Sequence, residues 1–207
     1  MIIADNILKN KLKNVYFIWG SGKTTAADIL SEKYGIYVYH TDHERSKFFG
    51  IAEKEFQPSM CRVVPDFWAL PKDEALAWEA EIVREFTPMV IADLIELSAV
   101  HEKIICEGDL DFAALSGIVT NAVFISYHGK DYDFFDRPEQ RKMLDDIRKR
   151  DISDAEKEEL IANAYSIVNG KENKAPDWVK QILRDDHSAP EGTAAEIANY
   201  FGFGSNC

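Results

Sequence analysis

The sequence predicts an α/β fold of three layers, a five-stranded parallel sheet with helices on both faces. Three observations predict it. Short apolar, β-branched and aromatic runs alternate with stretches of helical periodicity along nearly the whole chain. A glycine turn, Gly20-Ser21-Gly22, joins the first such run to the first helical stretch. No internal repeat, Gly/Ser linker or low-complexity tract interrupts the alternation, so residues 1–207 read as a single domain.

The elements follow in order. VYFIW (15–19) is a buried strand that ends at glycine. Residues 23–33 form a helix with Ala27, Ile29, Leu30 and Tyr34 on one face, stopped by Gly35. IYVYHTD (36–42) is the second strand. Residues 72–86 are helical, with Leu76, Ile82, Val83 and Phe86 near helix period, and Thr87-Pro88 opens a separate helix as N-cap and first turn. KIICEGD (103–109) and NAVFISY (121–127) are the third and fourth strands. Residues 138–150 and 154–168 are charged amphipathic helices, 178–186 a fifth strand, and a helix capped near Ser188 closes the chain. The stretch 43–71, with Pro58, Pro65 and Pro71, reads as a substrate-side excursion, and 129–175 as a lid-like helical segment.

At 207 residues, with 46% hydrophobic and 29% charged, the chain has the composition of a soluble globular domain able to bury its own core. No apolar run reaches the roughly 18–20 residues of a membrane span, and the first residues lack the apolar core of a secretory signal. Lys and Arg number 24 against 36 Asp and Glu, a net charge of −12, which argues against binding nucleic acid or an anionic membrane. A small anion in a local basic pocket stays compatible with it. Cys61, Cys106 and Cys207 are widely spaced, suit a reducing compartment, and read as buried or terminal thiols rather than nucleophiles. A cytoplasmic location is the expectation.

Parallel sheets bind ligands beyond the carboxyl ends of their strands. The strongest signal lies at such an end, Gly20-Ser21-Gly22-Lys23-Thr24-Thr25. Glycines let backbone N–H groups turn inward around a phosphate, Lys23 reaches the β/γ oxygens, Thr24 offers its hydroxyl to Mg²⁺, and the helix N-terminus adds its positive end. The plain alternative is a glycine turn joining strand to helix. This run resembles the Walker A loop of P-loop nucleotide-binding proteins, which implies ATP and Mg²⁺ as cofactors. Spacing sets it apart. The full pattern places four residues between its first glycine and the Gly-Lys pair, whereas only Ser21 separates Gly20 from Gly22. The loop is therefore either shortened, and with it inactive in transfer, or residues that belong there are absent from the chain. The phosphate-type surroundings favour the second expectation.

Other strand ends carry further candidates. Asp42 and Arg45 follow the second strand. In small-molecule kinases of the P-loop class an acidic residue here contacts the acceptor hydroxyl or the metal, so Asp42 resembles the substrate-side carboxylate and Arg45 would hold an acceptor anion. Helix capping with a solvated Arg45 is the alternative. His40 and His43 lack a third ligand for zinc. Glu107-Gly108-Asp109 ends the third strand and resembles a Walker B-like acidic position, which implies Glu107 and Asp109 near the metal; a turn with surface acids is the alternative. Arg137 and Arg141 share a face; lid segments of nucleoside-monophosphate-kinase-like enzymes place arginines here to neutralise the transferred phosphoryl group, a role the resemblance implies for these two, although the helix is dense in acids and surface pairs explain them as well.

The order of strand, GSGKTT, helix, strand with TD, long helix, strand ending EGD, strand, arginine-bearing helix, strand and helix resembles the nucleoside/shikimate-kinase-like branch of P-loop kinases. It is also similar to bacterial proteins described as 2-phosphoglycerate-kinase-like or AAA-type ATPases. A G-protein reading lacks an NKxD-like motif, and an AAA+ motor lacks room for its helical lid domain. The resemblance implies ATP-dependent phosphoryl transfer to a small-molecule acceptor, with Lys23, Asp42, Arg137 and Arg141 as catalytic residues. The alternative is a non-catalytic nucleotide-binding domain acting as sensor or interaction module. A homodimer is compatible with either.

Overall fold

The computed structural model describes residues 2–128, 134–136, 138–170, 175–185 and 187–204. Five parallel strands, β1 (Val15–Gly20), β2 (Tyr37–His40), β3 (Ile104–Glu107), β4 (Ala122–Tyr127) and β5 (Lys180–Arg184), form one sheet in the order β2-β3-β1-β4-β5. The helices are α1 (Ile2–Leu12), α2 (Lys23–Tyr34), α3 (Thr41–Ile51), α4 (Lys72–Leu97), α5 (Pro138–Arg148), α6 (Asp154–Asn169) and α7 (Pro190–Phe201). The predicted fold class is the observed one.

Strand alternation divides the core. Val15, Phe17 and Trp19 of β1 face α4, where Phe86, Val90 and Leu94 are buried. Tyr16 and Ile18 face α2 and α7, against Ala26, Ala27, Leu30, Ile197 and Ala198. Each face of the sheet thus carries its own helical layer. A third apolar cluster, Phe135, Leu144, Ile147 and Ala164, joins α5 to α6, and Trp68 packs against it. The excursion is tied to this cluster: Asn163 donates to the carbonyls of Trp68 and Leu70 at 2.6 and 2.8 Å, and Arg150 pairs with Asp66.

Several boundaries differ from the sequence-based expectation. Residues 72–97 form one helix rather than two. Pro88 lies inside it, yet burial of Ile82, Phe86, Val90, Ile91 and Leu94 offsets the roughly 3 kcal/mol that an internal proline costs. Thr87 is no N-cap. Its hydroxyl donates to the Val83 carbonyl at 2.7 Å and accepts from the Asp111 N–H at 2.8 Å, fastening α4 to the loop after β3. The second strand ends at His40 rather than Asp42, and residues 41–51, expected to finish that strand and begin the excursion, form α3, which buries only Thr41 and Phe48 and so shows no apolar stripe. The last helix is capped at Ala189, while Ser188 bonds back to Asp185. Helix α1 has no counterpart in the expectations.

Cys106 is buried on β3, and desolvation, with Glu107 beside it, pushes its thiol above the ordinary range. Native protein treated with iodoacetamide is expected to remain unmodified at Cys106 while unfolded protein reacts fully, as read by peptide mass spectrometry.

Candidate functional site

Three strand ends converge on Glu107. In the sheet register Glu107 lies beside Ile18 of β1 and His40 of β2. Alternation turns its side chain toward α2, on the face of Ile18 and Ile105. Helix α2 begins two residues after β1, which carries Lys23 and Thr24 to the same carboxylate.

Glu107 is only 2% exposed, so its charge must be met from within. The Thr24 hydroxyl donates to Oε2 at 3.2 Å. His40 Nδ1–H donates to Oε1 at 2.7 Å. Lys23 Nζ stands 4.0 Å from Oε2 and 3.8 Å from Asp42 Oδ2, between two carboxylates from different strand ends. His40 Nε2 faces Asp28 Oδ1 at 3.7 Å.

The turn before α2 is short. The chain runs unbroken from Gly20 to Thr24 with only Ser21 and Gly22 between strand and helix. Ser21 N–H is spent on the Ile125 carbonyl at 2.9 Å, and Ala26 N–H closes the first helical turn on Gly22 at 3.1 Å. The short turn closes its own hydrogen bonds. Gly22 is the N-cap in left-handed conformation (φ 79°), and no side chain caps the helix. A Cβ there would overlap the guanidinium of Arg184, which comes across from the end of β5.

On the opposite face of the sheet, beside α4, lies a cavity of about 700 Å³. Trp19, Phe86 and Phe112 line it, together with Asp42, Arg45 and Asp109. The Trp19 and Phe112 rings stack 3.4 Å apart at 10°. Lys23 therefore touches, through Asp42, a residue of the cavity wall, and through Glu107 the cluster on the α2 side.

No family model and no curated protein matches the chain. Among solved structures it is similar to an unliganded sugar kinase from Janibacter sp. HTCC2649, at 17% identity with a TM-score of 0.40, over 92% of this chain and 94% of that one.

The structure brings together Lys23, Thr24, Asp42 and Glu107 of the sequence-derived candidates. Asp109 and Arg45 line the cavity instead of joining the Glu107 cluster. Gly20, Ser21 and Gly22 make the turn, and Thr25 is exposed on the first turn of α2. Arg141 is exposed on α5 and does not line the cavity, and Arg137 lies outside the described residues. His40, Asp28 and Arg184 went unrecognised as site residues. His40 carries a legible signal, since the last residue of a strand beside a strand ending in Glu107 shares its face. Asp28 is four residues after Thr24 on α2, also a readable spacing. Arg184 depends on how far β5 lies from β1, which the sequence does not show.

Among the described residues no three His, Cys, Asp or Glu side chains converge to hold a metal. A hydroxyl and a carboxylate side by side, as in Thr24 and Glu107, nevertheless suit Mg²⁺, which takes a few hard oxygen ligands and leaves the rest to phosphate and water. Also among those residues, no helix is long and apolar enough to cross a membrane.

Proposed function

We propose that the protein transfers the γ-phosphoryl group of ATP to a hydroxyl of a small molecule held in the 700 Å³ cavity. The observation that carries this reading is the position of Lys23, 4.0 Å from Glu107 on one side and 3.8 Å from Asp42 on the other. A cation there links a phosphate-binding turn to an acceptor cavity, the place a transferred phosphoryl group must occupy. The cavity volume falls within the range of small-ligand sites, roughly 300–1,000 Å³.

Mechanism follows from the chain's own groups. Lys23 holds the phosphate chain and screens its charge as negative charge builds on the leaving oxygens. Asp42, at the rim shared with the cavity, orients the acceptor hydroxyl and accepts its proton. Arg45 and Asp109 offer a donor and an acceptor to a polyhydroxyl or anionic acceptor. Mg²⁺, held by Thr24 and Glu107 along with phosphate oxygens, would supply charge neutralisation. His40 keeps the Glu107 carboxylate turned toward Thr24. The net charge of −12 disfavours a polyanionic macromolecule as acceptor.

Calorimetry with MgATP tests the phosphate assignment. The wild type is expected to bind and Lys23→Ala to bind about a hundredfold more weakly or not at all, with an unchanged melting curve. Equal affinity would sink the assignment. A labelled-ATP screen over sugars, phosphoglycerates and nucleoside monophosphates then identifies the acceptor. The two-residue turn between β1 and α2 favours a second reading, a nucleotide-binding module without transfer. MgATP binding without a labelled product from any small molecule would select it.

A further inference from the structure

We infer that Arg184 is a ligand of the nucleotide's polyphosphate and replaces the backbone donors that the short turn lacks; this rests on the function proposed above. The turn offers little on its own. Of its N–H groups, Ser21 is already committed to the Ile125 carbonyl, leaving the first turn of α2. No side chain caps that helix, so its leading N–H groups keep their positive end toward the site.

Arg184 adds to this positive end. It stands on the last residue of β5, beside Tyr127 of β4 in the register. Its guanidinium crosses to the N-cap of α2 and occupies the space that a Cβ at position 22 would take. Among the described residues no carboxylate pairs with it, and its Nε–H is shut away from solvent without a hydrogen-bond partner. A buried donor left unmet is costly and rare. Lys23 brings a second cation to the same helix end, but its carboxylates, Asp42 and Glu107, lie on the far side from Arg184 in sheet order.

A helix N-terminus, a lysine already flanked by carboxylates and an arginine with no carboxylate thus border the start of α2. A polyphosphate meets the arginine's need, because the planar fork of a guanidinium matches phosphate oxygens and satisfies the stranded N–H. The same contact explains how a two-residue turn can hold a phosphate chain that the full-length loop would wrap with backbone alone. Glycine at 22 shapes the turn through its left-handed backbone and leaves the adjoining space to the arginine.

The test compares wild type, Arg184→Gln, Arg184→Lys and Lys23→Ala by calorimetry with MgATP and with inorganic tripolyphosphate. Lys33→Gln, at the far end of α2, controls for the loss of one charge. Melting curves confirm that each variant is folded. Arg184→Gln is expected to weaken both ligands by tenfold or more, Arg184→Lys by less, and Lys33→Gln not at all. Wild-type binding that Lys23→Ala abolishes but Arg184→Gln leaves intact overturns the Arg184 inference alone. A loss for MgATP with none for tripolyphosphate also overturns it, placing Arg184 at the nucleoside. Failure of the wild type to bind either ligand overturns the function proposed above and this inference with it.

Discussion

Glu107→Gln is expected to lower phosphoryl transfer by about 10²–10³-fold, the cost of removing one preorganised charge from a phosphoryl-transfer site. Glutamine keeps the shape: its carbonyl oxygen can accept from His40 while its amide N–H donates to the Thr24 hydroxyl, so both contacts persist with one of them reversed in direction. What disappears is the negative charge 4.0 Å from Lys23 and the anionic oxygen that would bind Mg²⁺. Stability should change little, because a carboxylate 2% exposed carries a desolvation cost that the neutral amide escapes. The discriminating measurement is kcat for the acceptor found in the screen, set beside the melting temperature. Full activity in the variant would reduce Glu107 to a structural acid. Asp42→Asn serves as the companion: with its side chain 59% exposed, its pairing with Lys23 adds little stability, yet loss of a positioned base costs about 10²-fold or more.

The fold was legible because β1, β3 and β4 are largely buried runs, and Gly20 and Gly108 mark the ends of two of them. Where those signals were weak, the reading failed for identifiable reasons. Helix α3 buries two residues and has no stripe to detect. Helix α4 contains Thr87-Pro88, a pair that signals a helix start locally, and tertiary burial overrides it. In the site, the Gly-Lys-Thr run between strand and helix pointed to Lys23 and Thr24 despite its short spacing, and strand ends pointed to Asp42 and Glu107. The sequence could not separate Glu107 from Asp109. Alternation separates them: Glu107, still within β3, points to α2, whereas Asp109 has left the strand and lines the cavity. His40 and Arg184 enter through sheet order and register, which are properties of pairing rather than of any local pattern.

Gly108 bears on the site as much as the charged residues do, and Gly108→Ala is expected to destabilise the protein by about 4 kcal/mol. Gly108 has φ 140°, a conformation that side-chain-bearing residues rarely adopt. Its N–H donates to the Ile18 carbonyl at 3.2 Å, which holds the end of β3 against β1. A methyl group there would overlap the Thr41 hydroxyl and approach Thr41 Cβ to 2.8 Å and Cγ2 to 3.0 Å. Thr41 is 1% exposed and opens α3, so it cannot swing away. Backbone strain of about 1–3 kcal/mol adds to an overpacking cost of similar size. For a chain of this length that corresponds to a melting temperature lower by roughly 10 °C. The crowding lies between β3 and α3, so relief by backbone shift would move Asp42 away from Lys23. Turnover should therefore fall even at temperatures where the variant is folded, whereas MgATP binding through Lys23 and Thr24 should persist. A melting curve within 2 °C of wild type, about 0.5–1 kcal/mol at this chain length, would refute the packing argument. Adding Thr41→Ala to Gly108→Ala, which removes both the hydroxyl and the methyl group that the new Cβ would meet, should recover part of the loss.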